Sequence, residues 1–231
     1  VREDARAELL QVQFTTGTDT ILDGIKRLLP GETIVLRNGR IVERRRRQIL
    51  SERGATGNRL ENALNEWDRI FEESVRLHQR SDVDYAMFLS GGVDSASLLG
   101  MMQRLNERPV TAYTAAFEAS SVHDERALAR EVAKACDANH IEVMFSEQDF
   151  WTLLPEVAAR MDDPAADYAI LPTYKLAQEA ARDFKVVLSG EGGDEPFGGY
   201  GRYRSVMRPL LLGGRVMRSK GTFDKIDVLR P

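Results

Sequence analysis

A glycine-rich turn between a predicted buried strand and a predicted helix decides the fold of this sequence: Phe88-Leu89-Ser90-Gly91-Gly92-Val93-Asp94-Ser95. Two adjacent glycines let the backbone bend sharply and approach a ligand without a Cβ in the way. The hydroxyls of Ser90 and Ser95 and the free N–H groups of the new helix can hold the oxygens of an anion. The turn has no Walker lysine. We predict a phosphate-binding turn in preference to an ordinary capped turn.

A second glycine-rich turn follows another short apolar run, Val186 to Leu188. Three carboxylates stand within five positions of it, and like charges packed so closely repel unless a cation compensates. Mg²⁺ prefers oxygen ligands and often joins one or two carboxylates to substrate phosphates. The pattern therefore favours a magnesium site over a solvated acidic loop. The turn reads Ser189-Gly190-Glu191-Gly192-Gly193-Asp194-Glu195.

Apolar runs alternate with helical patterns around both turns, which predicts an α/β fold. Strand, helix, strand in that order gives a parallel sheet with helices on both faces. Ligands of such sheets bind beyond the carboxyl ends of the strands. The predicted strands are Tyr85–Leu89, Val110–Phe117, Ile141–Phe145 and Val186–Leu188. The predicted helices lie around Ser95–Leu105, Asp124–Cys136 and Pro172–Arg182, and an amphipathic helix carries Leu60, Leu64, Trp67, Phe71 and Val75 at spacings of three or four.

The residues before this alternation form a separate small piece in the sequence. A helical stretch around Ala5–Val12 is followed by two strands, Thr33–Leu36 and Ile41–Val42, which an Asn-Gly turn joins into a hairpin. The polar stretch Ser51–Asn58 contains two glycines and is typical of a linker. The sequence therefore predicts three segments: residues 1–50, a linker at 51–58, and a main domain at 59–231.

Composition narrows the classes of function. The net charge of −4 gives no reason to expect nucleic acid or an anionic membrane surface as a partner, and we interpret Arg44–Arg47 as a solvated strand end. The single cysteine, Cys136, favours a reducing cytoplasmic setting and is interpreted as an apolar filler in a helix. The three histidines lack zinc-ligand spacing. No apolar stretch approaches the ~20 residues of a membrane span.

Together the two turns resemble the signature of glutamine-hydrolysing asparagine synthetases, whose synthetase domain belongs to the N-type ATP pyrophosphatase superfamily. Phe197-Gly198-Gly199-Tyr200 and Asp163-Pro164-Ala165-Ala166-Asp167 add to the likeness, and residues 23–31 look like the end of the glutaminase domain. The resemblance covers nearly the whole chain. It implies an ATP pyrophosphatase-like fold of the adenine nucleotide alpha hydrolase type, with residues 1–50 as a C-terminal remnant of a glutaminase-like domain and 59–231 as a C-terminally incomplete synthetase domain.

The resemblance also implies a ligase, a glutamine-hydrolysing asparagine synthase-like amidotransferase. In that family ATP and aspartate give an aspartyl-adenylate and pyrophosphate, and ammonia then forms asparagine and AMP. It implies that the pyrophosphate end of ATP binds Ser90, Gly91, Gly92, Asp94 and Ser95. It implies that the adenosine site is lined by Leu89, Ala115, Ser189 and Gly190, that Mg²⁺ binds Asp94 and Asp194, and that Glu191 is the base which removes a proton as ammonia attacks.

The resemblance leaves the acceptor open. Aspartate is the default carboxylate, but β-lactam synthetases and peptide cyclases share the adenylating site, and a non-catalytic nucleotide-binding remnant is another alternative. Ammonia is expected from glutamine through a glutaminase domain that these residues do not complete. Members of the family often form dimers, which suggests a homodimer by analogy. A tRNA-modifying pyrophosphatase is disfavoured by the acidic balance of the chain.

Overall fold

The computed structural model describes residues 1–48, 60–118 and 124–201. Within them, the first of two compact units holds residues 1–48 and 160–167, and the second holds 60–159 and 168–201. The predicted linker Ser51–Asn58 lies outside the described residues. The predicted three-segment division therefore stays a prediction.

The first unit contains helix α1 (Glu3–Val12) and an antiparallel hairpin of β1 (Glu32–Arg37) and β2 (Arg40–Arg46). The two residues between the strands have positive φ, 48° at Asn38 and 72° at Gly39. Positive φ at both central positions belongs to the type I′ turn, whose twist matches that of the strands it joins. The predicted Asn-Gly hairpin is confirmed. Its arginine run is exposed, as expected of a solvated strand end.

The Asp-Pro-Ala-Ala-Asp segment groups with this first unit. The guanidinium of Arg27 bonds to the carboxylate of Asp163 and to the hydroxyl of Thr15. The N–H of Ala166 donates to the carbonyl oxygen of Gln13 at 2.7 Å. These contacts fix a segment that is remote in sequence onto the loop after α1.

The second unit is built on a four-stranded parallel sheet, which confirms the predicted fold class. The strands lie in the order β5-β4-β3-β6, so β3–β4 and β4–β5 are neighbours in both chain and sheet, and only the connection from β5 to β6 runs from one edge of the sheet to the other. They are β3 (Tyr85–Phe88), β4 (Thr111–Phe117), β5 (Asn139–Phe145) and β6 (Val186–Leu188). The helices are α2 (Leu60–His78), α3 (Val93–Leu105), α4 (Arg126–Ala135), α5 (Glu147–Arg160), α6 (Ile170–Ala180) and the single turn α7 (Asp194–Phe197).

Both faces of this sheet are buried under helices, as predicted. Because neighbouring residues of a strand point to opposite faces, Met87 packs with residues of α3 and α4 while Ala86 packs with α6. The first core includes Leu89, Leu99, Met102 and Ala129, and the second includes Tyr113, Val143, Leu176 and Ala180. Two-sided burial explains why the strands read as apolar runs instead of alternating patterns.

Helix α2 buries only part of its apolar stripe within the second unit. Val75, near its C-terminal end, is 3% exposed, whereas Leu60 is 75% exposed. Trp67 stacks on Phe71 with ring centroids 4.8 Å apart, and Phe71 packs against the core. The predicted helix is confirmed, but its first turns stay in solvent. No helix in the described part of the chain is both long and apolar enough to cross a membrane.

Helix α5 was not predicted, because Pro155 lies in its interior. A proline removes one backbone hydrogen bond and normally ends a helix. The helix begins with reciprocal capping: Ser146 N–H donates to the Asp149 carboxylate at 2.8 Å, and Asp149 N–H donates to Ser146 Oγ at 3.1 Å. Trp151 lies in this helix, and its side chain points outward and is 63% exposed.

The single cysteine follows helix α4. Cys136 packs against the core beneath α3 and α4, and burial raises the pKa of its thiol. A raised pKa keeps the sulfur protonated and unreactive at neutral pH. The interpretation of Cys136 as an apolar filler agrees with this environment.

Candidate active site

The two glycine turns meet at one edge of the sheet. They follow β3 and β6, which are parallel neighbours paired at Met87 and Leu188. A Cβ built on Gly190 would lie 2.7 Å from the backbone nitrogen of Ser95 and 2.8 Å from its Cα. A Cβ built on Gly193 would overlap the carboxylate of Asp94. The second turn therefore packs backbone to backbone on the start of α3, which only glycine permits.

The first turn is held together by its own serines. Ser95 is 5% exposed, and its Oγ accepts the N–H of Ser90 at 3.1 Å and lies 3.0 Å from the Ser90 carbonyl oxygen. Ser90 Oγ accepts the N–H of Gly92 at 3.1 Å. The hydroxyl of Ser95, which the sequence assigns to the ligand, thus serves the turn itself. This network shapes the first turn, Ser90–Ser95, which is called the anion cradle below.

The start of α3 has the properties of an anion site. Gly92 is its N-cap, and within the described residues no side chain caps this end of the helix. The first N–H groups of a helix lack partners inside the helix and carry partial positive charge. Phosphate oxygens supply the acceptors that such groups lack. The geometry of the turn therefore fits the pyrophosphate end of a nucleotide.

A carboxylate that the sequence did not single out closes one side of the cradle. Glu125, at the start of α4, accepts the N–H of Gly91 on Oε2 at 3.0 Å. A Cβ on Gly91 would lie 2.9 Å from Cβ of Glu125 and 3.2 Å from Cβ of Leu128. Glycine is needed here because helix α4 approaches the turn closely. In the sequence, Glu125 ends the segment His123-Asp124-Glu125, which also resembles the asparagine synthetase family.

The acidic residues of the second turn differ in their surroundings. Asp94 lies against Gly193, while Oδ1 of Asp194 lies against the backbone of Gly199. Glu191 is exposed. Within residues 1–48, 60–118 and 124–201, no group of three or more histidine, cysteine or acidic side chains could hold a metal alone. The donor set suits Mg²⁺ of the kind that takes one or two carboxylates and completes its shell with phosphate and water.

A groove of about 540 Å³ brings four predicted site residues together. Ser189, Gly190 and Glu191 line it together with β6, and Asp94 of α3 lines it as well. Helix α2 contributes both apolar side chains and the polar Ser74 and His78. The main apolar contributors are Trp67, Phe71, Val75 and Phe197. The lining of the groove therefore combines carboxylate and hydroxyl groups with aromatic side chains.

Two residues predicted to line adenosine lie on opposite faces of the sheet. Leu89 is 2% exposed and belongs to the core beneath α3, whereas Ala115 is partly buried on the α6 side. The backbone of Leu89 is also occupied, because its N–H donates to Tyr113 and its carbonyl accepts from Thr114. Their assignment to adenosine stays a prediction.

A glycine turn at an uncapped helix start packs against an acidic glycine turn at the carboxyl edge of a parallel α/β sheet, and this arrangement defines a candidate nucleotide-binding site. The asparagine synthase family matches residues 66–222 of this sequence, a span that includes both turns. The chain belongs to the asparagine synthase family, a family of ATP-dependent ligases.

Individual relatives support the assignment to this family, although their names describe different activities. A putative glutamine-hydrolysing asparagine synthetase of Mycobacterium bovis is 35% identical over 220 residues, which cover 93% of this chain and 33% of the relative. The amidase chry2 of Gibberella zeae is 29% identical over 204 residues, 80% of this chain and 30% of that protein. The chain thus spans about a third of the length of these curated relatives.

Among solved structures, an NH3-dependent NAD synthetase from Campylobacter jejuni shows a likeness over 62% of each chain. The TM-score is 0.38 and the sequence identity is 16%. A likeness at this level adds nothing about function to the family assignment.

Proposed function

We propose that this chain carries an adenylating site that activates the side-chain carboxylate of aspartate for amide formation. A carboxylate oxygen attacks the α-phosphorus of ATP. The bond between the α-phosphorus and the oxygen that bridges it to the β-phosphorus breaks, and pyrophosphate leaves. Ammonia then attacks the activated carbonyl, the nitrogen loses a proton, and AMP leaves with the former carboxylate oxygen. The contact of the two glycine turns through Gly190 and Ser95 carries the proposal, because it puts an anion cradle beside carboxylates in a family of ligases.

The first turn is proposed to bind the leaving pyrophosphate. The uncapped start of α3 offers backbone N–H groups to the phosphate oxygens, and the Ser90–Ser95 network keeps those groups oriented before the ligand arrives. Preorganised donors stabilise charge that develops during a reaction more than donors that must reorient. Charge builds on the pyrophosphate as it departs, so this turn would accelerate the first step.

Asp94 and Asp194 are the residues proposed to hold Mg²⁺. When bound, Mg²⁺ would neutralise negative charge on the phosphate oxygens. The carboxylate of Asp94 already lies against the second turn at Gly193, which orients it toward that turn. An unpaired Asp94 would repel the triphosphate, so a cation between them fits the charge of the site.

Glu191 is proposed as the base of the second step. Glu191 lines the groove with Asp94 and Ser189, and a carboxylate there could take a proton from the attacking nitrogen. The side chain is exposed in the structure, so shelter from water would have to come from the bound adenylate. Glu191 therefore acts after adenylation in this proposal, and its loss should spare the first step.

The source of the ammonia is part of the proposal. We propose that ammonia comes from glutamine by way of a glutaminase domain, and that two copies of the protein associate, as is usual for relatives of this kind. A relative named as an amidase favours a second candidate, an adenylating enzyme with a different amine or carboxylate partner. In both candidates the first turn binds pyrophosphate, and the two differ in the substrate that occupies the groove.

The test is pyrophosphate release from ATP and Mg²⁺ across a panel of carboxylates, with ammonium present. Release that depends on aspartate and yields asparagine supports the leading proposal, whereas release with another carboxylate alone supports the second candidate. Asp94→Ala should abolish release, and Glu191→Ala should abolish the amide. ATP binding without release under any condition would show that the chain binds nucleotide but catalyses nothing.

A further inference from the structure

The strand that leads into the first turn ends with a buried carbonyl group that a side chain satisfies. Leu89 lies one residue beyond β3 and is 2% exposed, so its polar backbone groups need partners inside the protein. Its N–H donates to the carbonyl oxygen of Tyr113 at 2.8 Å. Its carbonyl oxygen accepts the hydroxyl of Thr114 at 2.7 Å. The corner between strand and cradle therefore depends on Thr114.

The proton of that hydroxyl fixes the direction of a longer chain of hydrogen bonds. A threonine hydroxyl has one proton, and Thr114 gives it to Leu89. His140 on β5 places Nε2 2.8 Å from the same hydroxyl oxygen. Because Thr114 has no second proton to donate, Nε2 of His140 must carry a proton and donate it. The chain runs from His140 through Thr114 to the Leu89 carbonyl.

The other side of the imidazole faces charged groups that are already paired. Nδ1 of His140 lies 4.0 Å from Oε1 of Glu142, and Arg130 of α4 donates to Oε2 of the same carboxylate at 2.7 Å. Burial lowers the pKa of His140, and Glu142 opposes this effect only in part. A neutral imidazole has one N–H, and in this site that N–H belongs to Nε2.

The Leu89 carbonyl belongs to the same peptide unit as the first N–H of the cradle. The atoms of a peptide unit are coplanar, so the Leu89 C=O and the Ser90 N–H turn together. Thr114 holds the carbonyl, and Ser95 Oγ holds the Ser90 N–H at 3.1 Å on the other edge of the plane. Rotation of this plane would break both bonds and displace Ser90.

We propose that His140 is a positioning residue for the anion cradle, acting through Thr114 on the peptide plane between Leu89 and Ser90. The imidazole does not touch substrate in this account. It supplies the donor that commits the single proton of Thr114 to Leu89. The inference rests on the proposed function in one respect, that the cradle holds the pyrophosphate end of ATP.

Pairs of variants separate the effect of the hydrogen-bonding group from the effect of side-chain volume at each position. His140→Met and Thr114→Val keep similar volume and remove the polar group, and each should weaken ATP binding about tenfold, the equivalent of one buried hydrogen bond. His140→Gln retains an N–H at similar reach and Thr114→Ser retains the hydroxyl, so both should bind within about threefold of the wild type. The double variant should bind no more weakly than Thr114→Val alone, because the two residues act in series.

Tyr85→Phe is the matched control. The Tyr85 hydroxyl donates to Asn106 at 2.6 Å at the opposite end of β3, so its loss removes a comparable hydrogen bond away from the cradle. Tyr85→Phe should lower the melting temperature as His140→Met does and leave ATP affinity unchanged. Equal loss of affinity in Tyr85→Phe would mean that His140 acts through general stability, which would overturn the proposal.

The tautomer gives a readout that does not depend on activity. Nitrogen chemical shifts of the His140 ring should show the proton on Nε2, and they should change in Thr114→Val. A proton on Nδ1 alone, or wild-type ATP affinity in His140→Met, overturns the inference and leaves the proposed function standing. A wild-type protein that binds no ATP overturns the proposed function and the link from His140 to the nucleotide, even where the Nε2 proton is found.

Discussion

The two glycine turns sit side by side at one sheet edge and are built on different principles. The first is held by buried hydroxyls: Ser95 is 5% exposed and Thr114 is 3% exposed. The second exposes Ser189 and Glu191 and contains a glycine at φ 88°. A rigid turn suits a site that must hold the same phosphate group in every cycle. An open turn suits a site that must accept, react with and release a variable partner.

The comparison predicts the largest effect where the turns touch. Gly190→Ala should destabilise the protein by about 2 kcal/mol, because the added Cβ meets the backbone of Ser95 at 2.7 Å and backbone cannot move aside cheaply. Misplacement of the cradle should also reduce pyrophosphate release about 100-fold. Thermal unfolding and the release assay measure the two effects.

Gly100→Ala is the control for this change. Gly100 lies within α3, nothing stands within 4 Å of its Cβ position, and alanine should stabilise the helix by about 0.5–1 kcal/mol. A Gly190→Ala protein with normal stability and activity would show that the two turns do not pack as described.

The next effect should fall on the buried serine. Ser95→Ala should cost about 2 kcal/mol, because it leaves the N–H of Ser90 without its acceptor in a partly buried turn. ATP should bind about tenfold more weakly as the turn loses its shape. Ser189→Ala, the same change in the open turn, should alter stability by less than about 0.5 kcal/mol. Equal costs at the two serines would contradict the contrast between the turns.

A smaller effect is expected from the contact between Gly193 and Asp94. Gly193→Ala places a methyl group against a carboxylate at the end of a flexible side chain, which can rotate away. Stability should change by less than about 1 kcal/mol, while the Mg²⁺ concentration that supports half-maximal pyrophosphate release should rise about fivefold. An unchanged Mg²⁺ dependence would argue against a metal at Asp94.

The smallest effect on the site is expected from a change away from both turns, which serves as their reference. The Lys175 ammonium, with help from Ser146, lowers the pKa of Asp149 from 3.8 to about 2. A lowered carboxyl pKa stabilises the fold above pH 3.8, and this gain is lost as the pH falls toward 2. Asp149→Asn should therefore cost about 1 kcal/mol at pH 7, after solvent screening, and almost nothing near pH 2.

ATP affinity at pH 7 should be unchanged in Asp149→Asn. Chemical denaturation over the pH range measures the stability, and a difference that persists at pH 2 would show that the Lys175 contact is not its source. Loss of ATP affinity would show that the start of α5 affects nucleotide binding as the two turns are expected to do.

The sequence predicted the parts of the site that are local in the chain. The strands before both turns, the helix after Ser90–Ser95 and the Asn38-Gly39 hairpin could be predicted because each depends on neighbouring residues. Sheet order could not be predicted, because it depends on which strands pair across distant segments. Helix α5 was missed because Pro155 contradicts local helix propensity, and capping by Ser146 with tertiary packing outweighs that penalty.

The supporting residues of the cradle were missed for the same reason. Glu125 reaches Gly91 from another helix, and His140 acts through Thr114 from two strands away. Neither contact has a signature in the local pattern. The sequence placed Ser95 correctly in the turn. The burial of Ser95 depends on packing against the second turn, and because Ser95 is buried, its hydroxyl bonds within the first turn.

Exchange of labelled pyrophosphate into ATP tests most directly whether the two turns form one adenylating site. The exchange requires a reversible first step and no ammonia. We expect exchange that depends on aspartate, is lost in Asp94→Asn and persists in Glu191→Gln, because Glu191 is proposed to act only in the second step. Exchange that survives in Asp94→Asn, or that no carboxylate supports in the wild type, would contradict the account.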